Sequence, residues 1–570
     1  MLKHHNIKHW KGAMALTVLV ASILASCTKN FQKENAPYSG PASATLAQLY
    51  TGIGSNIDLD ANIGKNAAAR WLYPITQLGA VYAVSDFTFI EGTSWSEFYS
   101  NLPAMNQMLH TMATSPDSAT YTNAIAMVKV LRAYQAIELT NLYGDMPYSK
   151  AGKAFSGSTK DLVVPYDKQQ QIYLSCLSDL TWAVNHFTTA AGQYSFPNEF
   201  LIGAGGSSGP IPQWIKFANS LRLRYALTMY DKDNADAAPI IADAMTKPLL
   251  TDPVLDVIGL NQTNIPGISF DISAAGRGFF FRQESRARMG STLWNLFNTN
   301  KPNNNGTDGS GIFDLRCRIF FEVNGDTAGT VGVDTSGHVK GKWVPYPQNP
   351  VTPIADGGDP YNTKRDPSNQ GWSSNKAGNL YSDYNYYWGR DGIMSGSTGA
   401  CPEIFMSAAE VHFLKAEAYA RGIGVAQNTA SAQTEYEAGV TASLTFWKNM
   451  AYNSSVWVVN KPTSATPTAG EISAVLTNPK VAFNASNALS LIYAQEWIDL
   501  FRQPWVAWTL MRRTGGATPA DTNNPAGYAQ NYGTLQRYQY PADERQFNNT
   551  NWTAATGGND LTSTKIWITK

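Results

Sequence analysis

Glu410 and Glu417 stand two helical turns apart on an alanine-rich stretch. On one helix that spacing sets their backbones about 10.5 Å apart along the same face. Inverting glycosidases hold their carboxyl groups roughly 6.5–9.5 Å apart and retaining ones nearer 5 Å. Side chains leaning together would bring this pair into range, so a surface glycoside hydrolase is the enzymatic reading. Two carboxylates beside a small-residue packing face more often cap or pair with arginines, and that reading is preferred. Gly205-Gly-Ser-Ser-Gly209 has the G-x-S-x-G spacing of a nucleophile elbow, which needs a strand before it and a helix immediately after. Pro210 and Pro212 follow, and the run reads as a turn. His110, His186, His338 and His412 lie in no metal-ligating spacing. His412 is expected on the exposed edge of its helix. Asn303-Asn-Asn-Gly-Thr-Asp-Gly309 offers turn oxygens for calcium but lacks the terminal bidentate glutamate of an EF-hand loop. A solvated turn is the better reading, and no other cofactor is expected.

Binding chemistry is better represented than catalysis. Tyr384-Asn-Tyr386-Tyr-Trp388-Gly-Arg390-Asp391 and Asn369-Gln-Gly-Trp372 set aromatic rings beside amide, guanidinium and carboxylate groups. A sugar offers apolar C–H faces and hydroxyl edges, which such rings cover while polar neighbours fix orientation. Trp372, Tyr384, Tyr386 and Trp388 are therefore candidate stacking platforms, with Arg390 and Asp391 as polar partners. The alternative is that these rings pin irregular loops onto the body.

The whole chain suits an uncharged ligand. Its 570 residues carry 43 basic and 43 acidic side chains; charged residues are 15% and aromatic ones 12%, against about 25% charged in an average protein. No basic surplus attracts nucleic acid. Lys3, Lys8 and Lys11 precede an apolar run from Ala13 to Leu24, too short to cross a bilayer as a helix. Leu24-Ala-Ser-Cys27 then completes the pattern of a bacterial lipoprotein signal. Residues 1–26 are expected to be removed, leaving Cys27 acylated; an ordinary secretory signal with a chance cysteine is the alternative. Several acyl chains on one residue anchor stably, since each buried CH₂ contributes about 0.8 kcal/mol. Residues 27–40 read as a flexible tether and 41–570 as one body. Cys176, Cys317 and Cys401 form no metal or disulfide framework, although one bridge stays open outside the cytoplasm.

The elements that must position these groups are mostly helical. Apolar spacing predicts helices over Tyr121–Leu142, ended by Gly144, and over Tyr166–His186, with another starting near Pro212. Phe405, Ala409, Phe413, Ala416 and Ala420 make a narrow stripe that lets a partner helix, Thr434–Trp447, approach closely. Asn487 is a candidate N-cap for the helix carrying Trp497, and Pro504 opens a short helix with Trp505 and Trp508. Between about 251 and 401 the chain is rich in Gly, Pro, Asn and Asp, with only Ser291–Phe297 and Phe313–Val323 looking regular. The fold class is mainly α, tetratricopeptide-like helix pairs packed against an irregular, loop-rich region.

Several stretches together resemble the SusD/RagB family of nutrient-binding outer-membrane lipoproteins. They are Leu142-Tyr-Gly-Asp-Met-Pro-Tyr148-Ser-Lys-Ala151, Trp214-Ile-Lys-Phe-Ala-Asn-Ser-Leu-Arg-Leu-Arg224, Ala409-Glu-Val-His-Phe-Leu-Lys-Ala-Glu-Ala418, Gln495-Glu-Trp497 leading to Arg512-Arg-Thr514, and Tyr540-Pro-Ala-Asp-Glu-Arg545 with Asn548. The resemblance implies about four helix pairs, a lipid-anchored protein at the cell surface, and a partnership with a SusC-type TonB-dependent barrel. In that family the lipoprotein acts as a hinged lid that delivers oligosaccharide or, in some members, peptide. The shared motifs are scaffold rather than ligand contacts. Trp95 lies where some glycan binders place a stacking tryptophan, which adds it to the candidate platforms.

Overall fold

A computed structural model describes residues 44–57, 72–81, 93–153, 163–197, 199–201, 210–260, 287–299, 309–322, 382–385, 403–454, 461–521 and 525–570. Short pieces at 332–333, 339–340, 343, 345–346 and 348 are described as well. The chain divides into two compact units, Met1–Gln48 and Leu49–Lys570. The architecture below is that of the second. Residues 1–43, and with them the signal, Cys27 and most of the tether, lie outside the described residues.

After α1 (Leu46–Ser55), the first half is a series of helices in sequence order: α2 (Thr93–Thr114), α3 (Thr122–Tyr143), α4 (Gln169–His186), α5 (Pro210–Met229) and α6 (Asn234–Ala244). Each packs on the next, as expected of helix pairs joined in tandem. Gly144 ends α3 with φ +87°, its N–H donating to the Thr140 carbonyl. A side chain at that backbone angle is strained. The helix predicted from Tyr166 starts three residues later, because Asp167 is used elsewhere. Its backbone bridges to Met146, and its carboxylate accepts from the Tyr148 and Ser149 N–H groups at 2.9 and 2.7 Å. Asp145 in turn accepts from Gln169 N–H, 2.9 Å away, at the first turn of α4. The Tyr-Gly-Asp-x-Pro-Tyr motif is thus a clasp between α3 and α4.

The second half repeats the pattern. Of the two stretches that look regular in the loop-rich region, Ser291–Phe297 is helix α7, and Phe313–Val323 holds helix α8 (Arg316–Phe320) followed by a short strand, Phe321–Glu322. The helix α9 (Ala408–Arg421) packs closely on α10 (Thr429–Asn453). A Cβ on Gly439 of α10 would sit 2.6 Å from the Phe413 ring, the close approach expected of the small-residue stripe. Helix α10 is longer than predicted because Asn428 caps it, accepting from Ser431 N–H at 3.0 Å. Next come α11 (Ala469–Leu476), α12 (Ala488–Asp499) and α13 (Pro504–Arg513). Asn487 occupies the N-cap position of α12 but makes no capping bond; Asn484 caps the 3₁₀ turn before it instead. Three short helices close the chain, α14 (Pro525–Asn531), α15 (Ala542–Phe547) and α16 (Asn549–Thr556).

Strand content among the described residues is small. Antiparallel pairs join β1 (Ala80–Val81) to β3 (Ala287–Arg288), β2 (Ile258–Leu260) to β8 (Glu403–Met406), β4 (Phe321–Glu322) to β7 (Asp383–Tyr384), and β5 (Gly332–Val333) to β6 (Val339–Lys340). Trp214, Trp294, Trp447, Trp497 and Trp508 are fully buried. Cys176 and Cys317 are buried and unbridged, and Cys401 lies outside the described residues. No described helix is long and apolar enough to cross a membrane.

Candidate ligand-binding region and buried charge network

The aromatic-rich segments leave the described body from neighbouring points. Met289 N–H donates to Ser382 O and Tyr346 N–H to Met289 O, so the chain entering 349–381 and the chain leaving it meet beside β3. Asn385, the last described residue before Tyr386, is tied by its N–H to Phe320 O at 2.9 Å. Gln77, in a left-handed conformation with φ +62°, accepts through Oε1 from the Thr292 hydroxyl and the Asp521 N–H. Gln348 reaches across to the Gly79 carbonyl at 2.6 Å. A non-glycine residue held at positive φ persists only where its surroundings over-determine it. Here that requirement is met by buried hydrogen bonds from three separated segments.

Two of the candidate platforms are described, and both are packing groups. Tyr384 is 1% exposed, lies 5.2–5.9 Å from the rings of Tyr73, Phe321 and Phe501, and donates its hydroxyl to Leu78 O. Trp95 is 7% exposed and enclosed by Tyr99, Tyr143, Tyr166 and Tyr540 at 4.8–6.5 Å. Neither presents an open face to a sugar, which corrects their assignment as stacking rings. Alternating spacing in an aromatic run leaves open which ring turns inward. Trp372, Tyr386, Trp388, Arg390, Asp391 and the Asn303–Gly309 turn lie outside the described residues.

Glu410 and Glu417 are fully buried and committed to arginines. Arg224 of α5 forks onto Glu410, with Nε and Nη2 each 2.5 Å from a carboxylate oxygen, and Nη2 also donates to Phe405 O. Arg513 of α13 forks onto Glu417 at 3.0 and 2.8 Å, and Arg421 adds a third bond at 2.8 Å. Burial raises the Glu417 carboxyl pKa, but Arg513 and then Arg421 outweigh it and hold the group below the usual carboxylate range. Neither carboxylate can reach a substrate. His412, predicted at an exposed edge, is instead largely covered and pairs with Glu435 at 2.7 Å.

One further carboxylate is Glu496 on α12, the middle residue of the Gln495-Glu-Trp497 motif, whose ionisation no local sequence signal marks. It is faced by Glu138 from α3, Arg224 and Tyr225 from α5, Glu410 and Glu417 from α9 and Arg513 from α13. Its nearest cation, Arg513, is 3.7 Å away and already engaged. Burial, reinforced by Glu417 and Glu410 against the two arginines, pushes Glu496 up to about 8. The folded state therefore keeps a proton that the unfolded chain releases, and this contribution to stability is lost as pH rises from about 5 to about 8. In Glu496→Gln the unfolding midpoint should not fall over that window, whereas the wild-type midpoint should; parallel profiles would refute it.

A separate cleft of about 320 Å³ opens between the start of α3, the loop 188–196 and the start of α5, with Met127, Tyr194, Phe196, Ile211 and Trp214 among its walls. Three distant segments build it, so no local sequence signal marks it.

The family comparisons agree with this architecture. A family profile described as "Starch-binding associating with outer membrane" matches residues 34–302, and one described as "Susd and RagB outer membrane lipoprotein" matches 370–569. A search of curated proteins found no match. Among solved structures, a chitin-binding protein superposes with TM-score 0.66 at 20% identity, over 92% of this chain and 100% of that one. A SusD homolog from Bacteroides fragilis NCTC 9343 gives 0.64 at 18% identity over 92% and 100%. A chitin-binding SusD homolog from Flavobacterium johnsoniae gives 0.59 at 18% over 92% and 98%. With both profiles matched in order and the helix-pair body shared, this chain belongs to the SusD/RagB family.

Proposed function

We propose that this protein is a lipid-anchored outer-membrane receptor that binds oligosaccharide and hands it, as a lid, to a SusC-type TonB-dependent transporter. Cys27 is its acylation site, and Trp372, Tyr386 and Trp388, with Arg390 and Asp391, provide the sugar contacts. The observation that carries this reading is family membership across both halves of the chain. The names of two similar structures, each described as chitin-binding, make chito-oligosaccharides the first ligands to try. A non-catalytic role is supported by the burial of Glu410 and Glu417 beneath arginines.

The test uses the protein without its first 27 residues. Calorimetric titration with chito-oligosaccharides, malto-oligosaccharides and a peptide pool should give saturable binding to a sugar. Prolonged incubation with the matching polysaccharide should release no new reducing ends. Cleavage would make the protein a hydrolase, and binding of peptides alone would move it to the peptide-binding branch of the family.

A further inference from the structure

The buried charge network encloses a crevice of about 10 Å³ where α3, α5, α9, α12 and α13 meet. Arg224 and Glu496 line it, are 5% and 3% exposed, and each has a polar atom that makes no hydrogen bond, Nη1 and Oε2. Every other nitrogen of the Arg224 guanidinium is satisfied, Nε by Glu410 and Nη2 by Glu410 and the Phe405 carbonyl. Nη1 lies 3.9 Å from Glu138 Oε1, beyond hydrogen-bond reach. A buried charged donor without an acceptor is costly, as is a buried carboxyl oxygen without a donor. Both residues line the same crevice.

We propose that this crevice is a binding site for a single water molecule, which accepts from Arg224 Nη1 and is hydrogen-bonded to Glu496 Oε2. The size agrees, since a space of about 10–15 Å³ measured for water centres holds one water. The chemistry agrees as well. Glu138 and Thr509 also line the crevice and supply a third partner, within the usual two to four. A metal cation is disfavoured by the two guanidiniums, and among the described residues no group of three or more His, Cys, Asp or Glu could hold one. An anion is disfavoured by the lining carboxylates of Glu138 and Glu410. Water alone satisfies donor and acceptor together without adding charge. So placed, it links α5 to α12, which no direct hydrogen bond between Arg224 and Glu496 does.

Crystal structures of the lipid-free protein and two variants test this site, at a resolution that shows ordered waters. Wild type should show one density peak within hydrogen-bond distance of both Arg224 Nη1 and Glu496 Oε2. Glu496→Gln keeps a polar partner and should retain the peak, while Glu496→Leu removes it and should lose the peak. An empty wild-type crevice overturns the proposal, as does a direct Arg224–Glu496 contact. A peak that persists unchanged in Glu496→Leu does so too. Should Glu496→Leu fail to fold, the wild-type and Glu496→Gln structures still decide.

Discussion

Glu417→Ala should destabilise the protein by about 3–5 kcal/mol, read by denaturant unfolding of the lipid-free form. The cause is less the loss of an attraction than the charge left behind. Arg513 is 6% exposed and gives both terminal nitrogens to Glu417; Arg421, on the next turn of α9, gives a third bond. Removing the carboxylate strands a guanidinium in the interior, where its other carboxylate contact, Glu496, is 3.7 Å away. The double variant Glu417→Ala/Arg513→Ala should therefore be less destabilised than the two single changes summed, because the orphaned charge goes with its partner. A single-variant loss below about 1 kcal/mol, the range of exposed ion pairs, would sink this account. The network also sets an acid limit. Glu417 is held below the usual carboxylate range, so its stabilisation is present above that range and is lost as pH falls through its folded-state value.

Combined Trp372→Ala and Trp388→Ala should abolish ligand binding while leaving thermal unfolding nearly unchanged. Aromatic anchors dominate small contact surfaces, and truncating one commonly costs roughly 2 kcal/mol of binding. Two such losses amount to about a thousandfold in Kd, at roughly 1.4 kcal/mol per factor of ten. Calorimetry with the best oligosaccharide and a parallel melting curve make the comparison. A melting point that drops with the affinity would assign these rings to packing, the fate already seen for Trp95 and Tyr384. Arg390→Ala offers a milder check, since a polar partner orients the ligand more than it holds it.

Much of the scaffold was readable from local pattern. Apolar spacing and the stop at Gly144 located α3 to within a residue at each end, because helix periodicity depends on neighbours in sequence. The stripe predicted for α9 overran its start: Phe405 belongs to β8, and the helix begins at Ala408. The family motifs were readable for a related reason, and their scaffold role is visible in the bonds they make. Tyr540 donates to the Asp145 carbonyl at 2.6 Å, and Arg512 donates to Asn141 O at 2.7 Å.

Burial and partnership were different. Arg421 is a local partner of Glu417, but the arginines that fork onto Glu410 and Glu417 come from positions 186 and 96 residues away in the chain. Nothing in the alanine-rich stretch around the two glutamates names these distant two. Trp95 and Tyr384 carry the residue types of a sugar platform, yet their neighbours turn both rings into core. Nor could sequence show that Glu496 would lie where acids outnumber the guanidiniums within reach. By itself the amino-acid order determined helix positions, the neutral character of the chain and its family, all properties of short-range pattern and composition. Only the tertiary fold decided which polar groups lose water and which partners meet them, since desolvation and charge pairing act through space between segments far apart in sequence.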